Sequence, residues 1–383
     1  MTTYESAVRE RYSAGAEACQ DSLCCATSYD PKYLAVLPQE ILEKDYGCGD
    51  PTPFVERGDV VLDLGSGAGK ICWIAAQIAG PEGRVIGVDM NHDMLALAKK
   101  HHAEIAARVG HDTVEFRRGM IQDLRLDLDL LEAELAGHPV TGADAWLRLR
   151  DAEQELRMTR PLIADSSVDV ILSNCVLNLV RPADKRQLFQ EMYRVTRTGG
   201  RVTIADIVCD EDVPEEMQRD PELWSGCISG AFREDLFLKA FEDAGFHGVE
   251  ILSRNDKPWR TVQGIEFRAM TVRAFKGKEG PCLERHQAVV YRGPFRKVFD
   301  DDGHVYHRGE RMAVCDKTYR LLQQAPYRGL FEAVEPRVEI PLDAAGTFGC
   351  AGAERRPPRV TKGVDYDATT ADPGSCDPAT GCC

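Results

Sequence analysis

A strand, a glycine turn and a helix follow one another directly in the first quarter of the chain, and this order constrains the fold more than any other feature. Residues 59–64 (DVVLDL) are typical of a short buried strand, residues 65–69 (GSGAG) of a tight turn, and residues 70–79 of a helix. Three alternating glycines are costly inside a regular element, so they indicate a backbone that approaches a ligand closely. Open α/β sheets bind ligands at this edge, beyond the carboxyl ends of their strands.

The same alternation continues downstream and predicts the fold class. Helices alternate with further apolar strands, and these strands are residues 84–89, 113–118, 168–173 and 201–208. Such alternation indicates a mostly parallel sheet covered on both faces. The sequence therefore predicts a doubly wound α/β fold.

The ligand of the glycine loop is predicted from charge and position. The spacing GxGxG departs from the dinucleotide fingerprint, and the Asp63 carboxylate beside the loop would repel a pyrophosphate and favour a cation. S-adenosylmethionine carries a sulfonium and an ammonium group and no phosphate. Asp89 ends the second strand, where a carboxylate can accept hydrogen bonds from both ribose hydroxyls. Gln122 and Asp123 follow the third strand, beside the expected adenine. We therefore expect S-adenosylmethionine rather than NAD or a purely structural turn.

Charge and cysteine content narrow the partners and the compartment. A net charge of -15 and a pI near 5.2 argue against a surface for nucleic acid or anionic membranes. The apolar runs are too short for a signal peptide or a membrane helix, which predicts a cytoplasmic protein. There, the fourteen cysteines are not expected to form a disulfide framework. The cysteines are then expected to serve in packing, in metal or metalloid binding, or in redox chemistry.

Three cysteines lie where a ligand site is expected. Cys175 (in SNCVLNL) follows the fourth strand, Cys227 (in WSGCISGAF) follows the fifth, and Cys48 lies between two glycines in YGCGDP. Cys175 also suits a buried packing position. The chain has no CxxC pair, which zinc sites commonly use, whereas three soft thiolates favour a thiophilic centre. Trivalent arsenic binds three sulfurs in a pyramid and keeps a lone pair, which can attack a sulfonium methyl group.

These segments, in their order along the chain, resemble a known family. YGCGDP, VLDLGSGAGK, GVDM, SNCVLNLV, GGRVTIADIV and CISGAF are similar to motifs of the arsenite S-adenosylmethionine methyltransferases. The resemblance runs from about residue 21 to about residue 319, and its three cysteine motifs together are highly specific. It implies a class I methyltransferase-like sheet.

The resemblance also implies roles for individual residues. Cys175 and Cys227 are expected to hold trivalent arsenic throughout, with Cys48 as third ligand. Cys48 is also expected to form a disulfide with Cys24 or Cys25, and the choice between these two stays open. The residues expected to contact the cofactor are Tyr46, Gly47, Asp63, Gly65, Gly67, Gly69, Asp89, Met90, Ile121, Gln122 and Asn174.

Four segments are expected along the chain. Residues 1–58 form an N-terminal cap segment, and residues 59–255 form the cofactor-binding domain, with a helical insertion at about 124–160 and an arsenic-binding loop around residue 227. Residues 256–350 form a small β-rich domain, and residues 351–383 a flexible tail. The tail cysteines either capture arsenite and pass it inward or have no role. Cys72 is expected in the core, and Cys209, Cys282 and Cys315 have no clear partner in the sequence.

The predicted protein is an enzyme that methylates arsenite and methylarsenite with S-adenosylmethionine, in detoxification. Thioredoxin or glutathione is expected to reset its thiols. One alternative is a methyltransferase for another small molecule or an organoarsenical. The other is a thiol-rich, non-catalytic metalloid-binding protein, which would not need Asp63, Asp89 or the glycines.

Overall fold

The computed structural model describes residues 4–20, 28–350 and 354–367. The chain divides into two compact units, residues 1–277 and residues 278–383. Cys24, Cys25, Cys376, Cys382 and Cys383 lie outside the described residues, so the roles predicted for them stay predictions.

The first unit is built on one nine-stranded sheet. Its strands are β1 (Val60–Leu64), β2 (Arg84–Asp89), β3 (Val114–Arg118), β4 (Val168–Asn174), β5 (Thr196–Cys209), β6 (Phe232–Arg233), β7 (His247–Arg254), β8 (Arg260–Val262) and β9 (Ile265–Phe275). The order is β3-β2-β1-β4-β5-β9-β7, with β6 beside β5 and β8 beside β9. The strands from β3 to β5 pair in parallel, whereas β9 pairs antiparallel to β5 and β7.

Helices cover both faces of this sheet. They are α1 (Tyr4–Glu17), α2 (Pro31–Leu34), α3 (Gln39–Glu43), α4 (Lys70–Ala79), α5 (His92–Lys100), α6 (His102–Val109), α7 (Leu128–Gly137), α8 (Ala143–Thr159), α9 (Pro182–Val195), α10 (Glu215–Gln218), α11 (Pro221–Ser225) and α12 (Glu234–Ala244). Successive residues of β1 enter different cores: Val61 packs with α4, α5 and α6, and Leu62 with α9 and α12. Burial on both faces explains the nearly continuous apolar strands, and the predicted doubly wound α/β fold is confirmed.

The helical pair predicted at about 124–160 is also present, as α7 and α8. The Asp127 side chain caps α7 by accepting hydrogen bonds from the backbone of Asp129 and Leu130.

The position of β9 differs from the sequence prediction. Its residues were assigned to the C-terminal domain, but β9 pairs with β5 over nine positions, from Arg201 opposite Phe275 to Cys209 opposite Phe267. β-pairing joins segments distant in sequence, so a strand-like pattern reveals the strand but not its partner. The two units accordingly divide after Gly277.

The second unit is small and rich in short strands. Its elements are β10 (Leu283–Glu284), β11 (Ala288–Tyr291), β12 (Lys297–Phe299), β13 (Val305–His307), β14 (Arg311–Ala313), α13 (Asp316–Leu321), β15 (Phe331–Val334), β16 (Gly346–Thr347) and α14 (Pro358–Lys362). β14, β11 and β15 form a sheet over a core that includes Val289, Tyr306 and Phe331.

Residues 354–367 depart from the predicted flexible tail. They contain α14, and Arg356 donates to both carboxylate oxygens of Glu284 at 2.8 and 3.0 Å. The Ala313 N–H also donates to the Glu354 carbonyl at 2.8 Å. These contacts hold that segment within the second unit.

Among the residues that the structure describes, no helix has the length and apolar character needed to cross a membrane.

Candidate functional site

The glycine loop lies at the carboxyl end of β1, as predicted. Gly65 has φ +73°, and its N–H donates to the Val88 carbonyl at 2.8 Å. A Cβ at Gly65 would lie 2.4 Å from Val176 Cγ1, so no larger residue fits without displacing its neighbour. The loop backbone therefore approaches the cleft where a side chain would otherwise stand.

An open cleft of about 1030 Å³ adjoins this loop. Among the described residues, its lining includes each of the cofactor contacts named above except Gly69. Asp123, expected beside the adenine with Gln122, does not belong to this lining, and its carboxylate accepts a hydrogen bond from Arg157 Nε at 3.0 Å. Gly69 instead begins α4 at φ +87°, and a Cβ there would lie 2.6 Å from Phe116 Cζ. Gly69 thus serves the close packing of helix on strand.

The donors and acceptors of the cleft fit S-adenosylmethionine. Ser66 is a lining residue of the cleft, and its Oγ is buried and makes no hydrogen bond within the described protein. A buried hydroxyl without a partner costs free energy, which a ligand's polar group would offset. The first three strand ends contribute Asp63, Asp89 and Gln122 to the same lining, so the predicted convergence of these residues is present.

Asp89 connects the second strand to the glycine loop. Its carboxylate accepts hydrogen bonds from the backbone of Gly67 at 2.9 Å and of Asn91 at 2.8 Å. Burial raises the pKa of Asp89, and these backbone donors oppose that rise. Each carboxylate oxygen has a further lone pair, and two hydroxyls of a ribose are suitable donors.

Asp63 is the most deeply buried carboxylate in the cleft. Only 2% of its surface is exposed, and the Cys72 thiol donates to its Oδ2 at 3.2 Å. Burial raises the pKa of Asp63 to about 7. Cys72 is itself fully buried, as predicted for a core position, and burial raises its thiol pKa.

The affinity for S-adenosylmethionine should increase with pH in this range. As the pH rises from 6 to 8, Asp63 changes from mostly protonated to mostly ionised, and the carboxylate attracts a cation. If the cofactor binds the ionised form, affinity rises about tenfold over that interval. Asp63→Asn should bind more weakly at pH 8 and lose this part of the pH dependence. Isothermal titration calorimetry of both proteins at each pH checks the expectation, and equal pH profiles would contradict it.

The three thiols predicted to bind arsenic lie close together at the ends of β4 and β5. Cys48 and Cys175 are joined by a disulfide, with Cα atoms 5.8 Å apart. The Cys227 thiol donates to the Cys175 carbonyl at 3.4 Å. All three side chains are buried in one apolar cluster, with Ile207 and Phe267 among its members.

The disulfide differs from the predicted partner of Cys48. The resemblance predicts Cys24 or Cys25 as the partner of Cys48, and both lie outside the described residues, whereas the structure pairs Cys48 with Cys175. Cys48 lies in a segment that binds Asn174 at the end of β4, so its sulfur meets that of Cys175 although the two residues are 127 positions apart in sequence.

Asn174 fastens the Cys48 segment to the sheet. Its Oδ1 accepts from the backbone N–H of Cys48 at 2.8 Å and of Gly49 at 3.1 Å, and its Nδ2 donates to the Gly49 carbonyl at 2.7 Å. A Cβ at Gly47 would lie 2.2 Å from Asn174 Nδ2. Gly47 therefore permits close packing on Asn174, which also lines the cleft, whereas a Cβ at Gly49 would lie 2.7 Å from Ala205 Cβ.

The backbone at Cys175 and Cys227 is in the left-handed region. Both residues have φ +61°, and among the described residues only three other non-glycine residues have positive φ. A side chain in this region costs of the order of 1–2 kcal/mol. Conformations of this kind are found more often at functional sites than elsewhere in proteins.

Two contributors to the site were missed by the sequence analysis. Helix α1 was read only as a polar helix, yet Tyr12 lines the cleft and its hydroxyl lies 3.9 Å from Cys227 Sγ. Arg11 donates to Ser225 Oγ at 2.9 Å, close to Cys227 in sequence. Periodicity could not reveal this position, because the contacts join residues more than 200 positions apart.

Asp206 is the other missed residue. One of its carboxylate oxygens lies within 4.8 Å of the Cys48 and Cys175 sulfurs. Burial raises its pKa to about 6, against hydrogen bonds donated by the backbone of Ile207 and Leu177. Asp206 lies in the apolar run TIADIV of β5. A charged residue is uncommon in a buried strand, so its presence in this run could have marked Asp206 as a candidate site residue.

Comparison with known proteins gives two matching families. The family described as "Methyltransferase domain" matches residues 55–135 and 144–245. The one described as "Domain of unknown function (DUF8838)" matches residues 278–366.

Individual relatives match over most of their length. An arsenite methyltransferase of Aquipseudomonas alcaligenes is 32% identical, over 82% of this chain and 85% of its own. The human arsenite methyltransferase is 26% identical, over 90% of this chain and 85% of its own. Among solved structures, an arsenic(III) S-adenosylmethionine methyltransferase from Chlamydomonas reinhardtii is 26% identical with a TM-score of 0.55, covering 87% of this chain and 100% of that one.

Proposed function

The chain belongs to the arsenite methyltransferase family, and from this premise we propose that it transfers a methyl group from S-adenosylmethionine to trivalent arsenic bound by the thiolates of Cys48, Cys175 and Cys227. Arsenite and methylarsenite are the substrates. The observation that carries the proposal is the convergence of these thiols beside a cleft lined by the residues of the glycine loop and of Asp89.

The thiols suit arsenic because they are soft donors in an apolar setting. Cys175 borders both the cleft and the apolar thiol cluster. Binding three thiolates to arsenic gives a neutral complex, so burial adds no uncompensated charge. A thiol that binds arsenic loses its proton, which leaves with the hydroxide that the thiolate displaces as water. The arsenic lone pair is then the nucleophile. The transfer needs no general base.

Bound S-adenosylmethionine supplies an electrophilic methyl group. Attack by the arsenic lone pair forms the As–C bond and breaks the C–S bond, whose electron pair stays on the sulfur of S-adenosylhomocysteine. The protein's contribution is to hold the two reactants in line, which can supply much of the rate acceleration. Helix α1 contributes Tyr12 to the lining of the cleft and would help to exclude water from the reacting atoms.

Methylation formally removes two electrons from arsenic, and two thiolates can return them. When two sulfur ligands leave arsenic as a disulfide, arsenic regains two electrons and becomes trivalent again. It then carries its methyl group, the Cys227 thiolate and one incoming hydroxide or external thiolate. The pair Cys48 and Cys175 is joined in the structure. In this cycle Cys175 therefore leaves arsenic at the reduction step, which replaces the expectation that it holds arsenic throughout. Two equivalents of an external thiol, from thioredoxin or glutathione, would then restore both cysteines by exchange. A cytoplasmic location suits this cycle, because thioredoxin and glutathione keep thiols reduced there.

Product analysis tests the function. Purified protein, S-adenosylmethionine and a dithiol should yield methylated arsenic and an equal amount of S-adenosylhomocysteine, from arsenite and methylarsenite offered separately. Without the dithiol, product should stop at or below one equivalent of enzyme. Methylation of other small molecules without arsenic would favour a different methyltransferase, and arsenite binding without any transfer would favour the metalloid-binding alternative.

A further inference from the structure

A second group of three cysteines lies within the unit of residues 278–383. Cys282 directly precedes β10, Cys315 is the N-cap residue of α13, and Cys350 follows β16 closely. Their sulfur atoms all lie within 4.8 Å of one another. We call this set the C-terminal thiol group.

The backbone brings these residues together. β10 and β16 pair antiparallel, and the Phe348 N–H donates to the Cys282 carbonyl at 2.8 Å. Cys315 Sγ lies 3.3 Å from the Thr318 hydroxyl and accepts from the Thr318 N–H at 3.5 Å. Strand pairing and helix capping therefore fix the positions from which the three sulfurs converge.

The three residues are thiols with unequal acidity. None of them forms a disulfide within the described chain. The pKa of Cys282 lies below its ordinary value, chiefly because of its hydrogen bond with Cys350 and then through Cys315 and Lys317. The pKa of Cys350 is raised by burial and by Cys282. Three free thiols whose sulfur atoms lie within 4.8 Å of one another are a suitable ligand set for a soft ion.

We propose that the C-terminal thiol group is a second site for trivalent arsenic, separate from Cys48, Cys175 and Cys227. The proposal rests on the proposed function only in naming arsenic as the thiophilic ligand. Binding is ligand exchange without change of oxidation state: arsenous acid, As(OH)₃, and three thiols form three As–S bonds and release three water molecules. Each thiol proton leaves in one of those waters.

The donor set favours arsenic over zinc. Structural zinc is almost always four-coordinate, but the group contains no fourth His, Cys, Asp or Glu among the described residues. Residues 351–353, which follow Cys350, are Ala, Gly and Ala and offer no ligating side chain. Trivalent arsenic needs three sulfurs, since its lone pair occupies the fourth direction. Its trithiolate complex is neutral, which suits Cys315 at 1% exposure.

Arsenic content measures the second site directly. We would use reduced full-length protein, with Cys376, Cys382 and Cys383 changed to Ser in every sample so that tail thiols do not contribute. After incubation with arsenite and gel filtration, Cys282→Ser/Cys350→Ser should retain one arsenic per chain fewer than its parent. Cys175→Ser/Cys227→Ser should also retain one fewer, and X-ray absorption of that variant should show arsenic with three sulfur neighbours.

The controls separate this proposal from the proposed function. Cys209→Ser changes a cysteine outside both groups and should lose no arsenic, whereas Cys282→Ser/Cys350→Ser should keep its methyl transfer. Equal arsenic content with and without the C-terminal thiol group, or a zinc ion there that arsenite does not displace, would overturn the second site even if turnover is normal. If the parent protein shows no methyl transfer, but Cys282→Ser/Cys350→Ser still retains one arsenic fewer than the parent, the proposed function is wrong and the second site stands. If circular dichroism shows that the double variant is unfolded, the single variant Cys350→Ser takes its place, because Cys350 is only partly buried and its replacement should disturb the fold less.

Discussion

Cys227→Ser should reduce methyl transfer to arsenite by at least about 100-fold, which corresponds to about 2.7 kcal/mol in the activation free energy. Serine has nearly the shape of cysteine, but its hydroxyl is a hard and poorly acidic donor that does not replace a thiolate on arsenic. Cys227 is buried, and its thiol lies beside the Cys175 carbonyl. Product formation under saturating S-adenosylmethionine and a dithiol is the measurement.

Cys209→Ser is the matched control for this change. Cys209 is a fully buried member of the same apolar cluster, and burial raises the pKa of its thiol to about 12. The same atom replacement at Cys209 therefore imposes a similar polar burial without removing an arsenic ligand. Cys209→Ser should keep its turnover, and S-adenosylmethionine binding should persist in both variants. A Cys227→Ser protein that folds and methylates arsenite at the normal rate would exclude Cys227 as a ligand.

Asp89→Ala should weaken S-adenosylmethionine binding by at least about 100-fold. The carboxylate holds Gly67 and Asn91 in place and offers acceptors to two ribose hydroxyls. Hydrogen bonds to charged groups contribute about 1.5–3 kcal/mol each, so the loss of two such bonds accounts for this change. The loss should be equal for S-adenosylhomocysteine, because both nucleosides carry the same ribose. Calorimetry with each ligand gives the two ratios.

Two further variants decide how the Asp89 result is read. Asp93→Ala removes an exposed carboxylate in the first turn of α5 and should leave the affinity unchanged. Asp89→Asn keeps one acceptor oxygen and should show an intermediate loss. If Asp89→Ala retains its thermal stability but binds both nucleosides as the unchanged protein does, Asp89 is not the ribose acceptor.

The sequence predicts those parts of the site that lie at strand ends. Gly65, Asp89 and Cys175 each directly follow or end a parallel strand, and the carboxyl ends of such strands meet at one edge. Local patterns of apolar residues are enough to locate them. The resemblance to a family then adds the chemistry of the three thiols, and the comparisons confirm that family.

Features made by non-local contacts were not predictable in this way. Nothing near Cys282, Cys315 or Cys350 marks them as neighbours, because a short antiparallel pair and a helix cap bring them together. The position of β9 beside β5 depends on the same kind of long-range pairing. Which strands pair depends on the free energy of the whole folded chain, including the entropy lost when long loops close. The pattern of a short segment gives no information about these contributions.

Helix α1 contacts residues beside the glycine loop and beside the proposed arsenic site. Asn91, beside the cofactor loop, donates to the Arg9 carbonyl at 3.1 Å, while Arg11 binds Ser225 and Tyr12 approaches Cys227. A shift of this helix caused by one substrate would change the affinity for the other. Thermodynamic linkage then requires symmetry: the factor by which S-adenosylmethionine changes the affinity for arsenic equals the factor by which arsenic changes the affinity for S-adenosylmethionine.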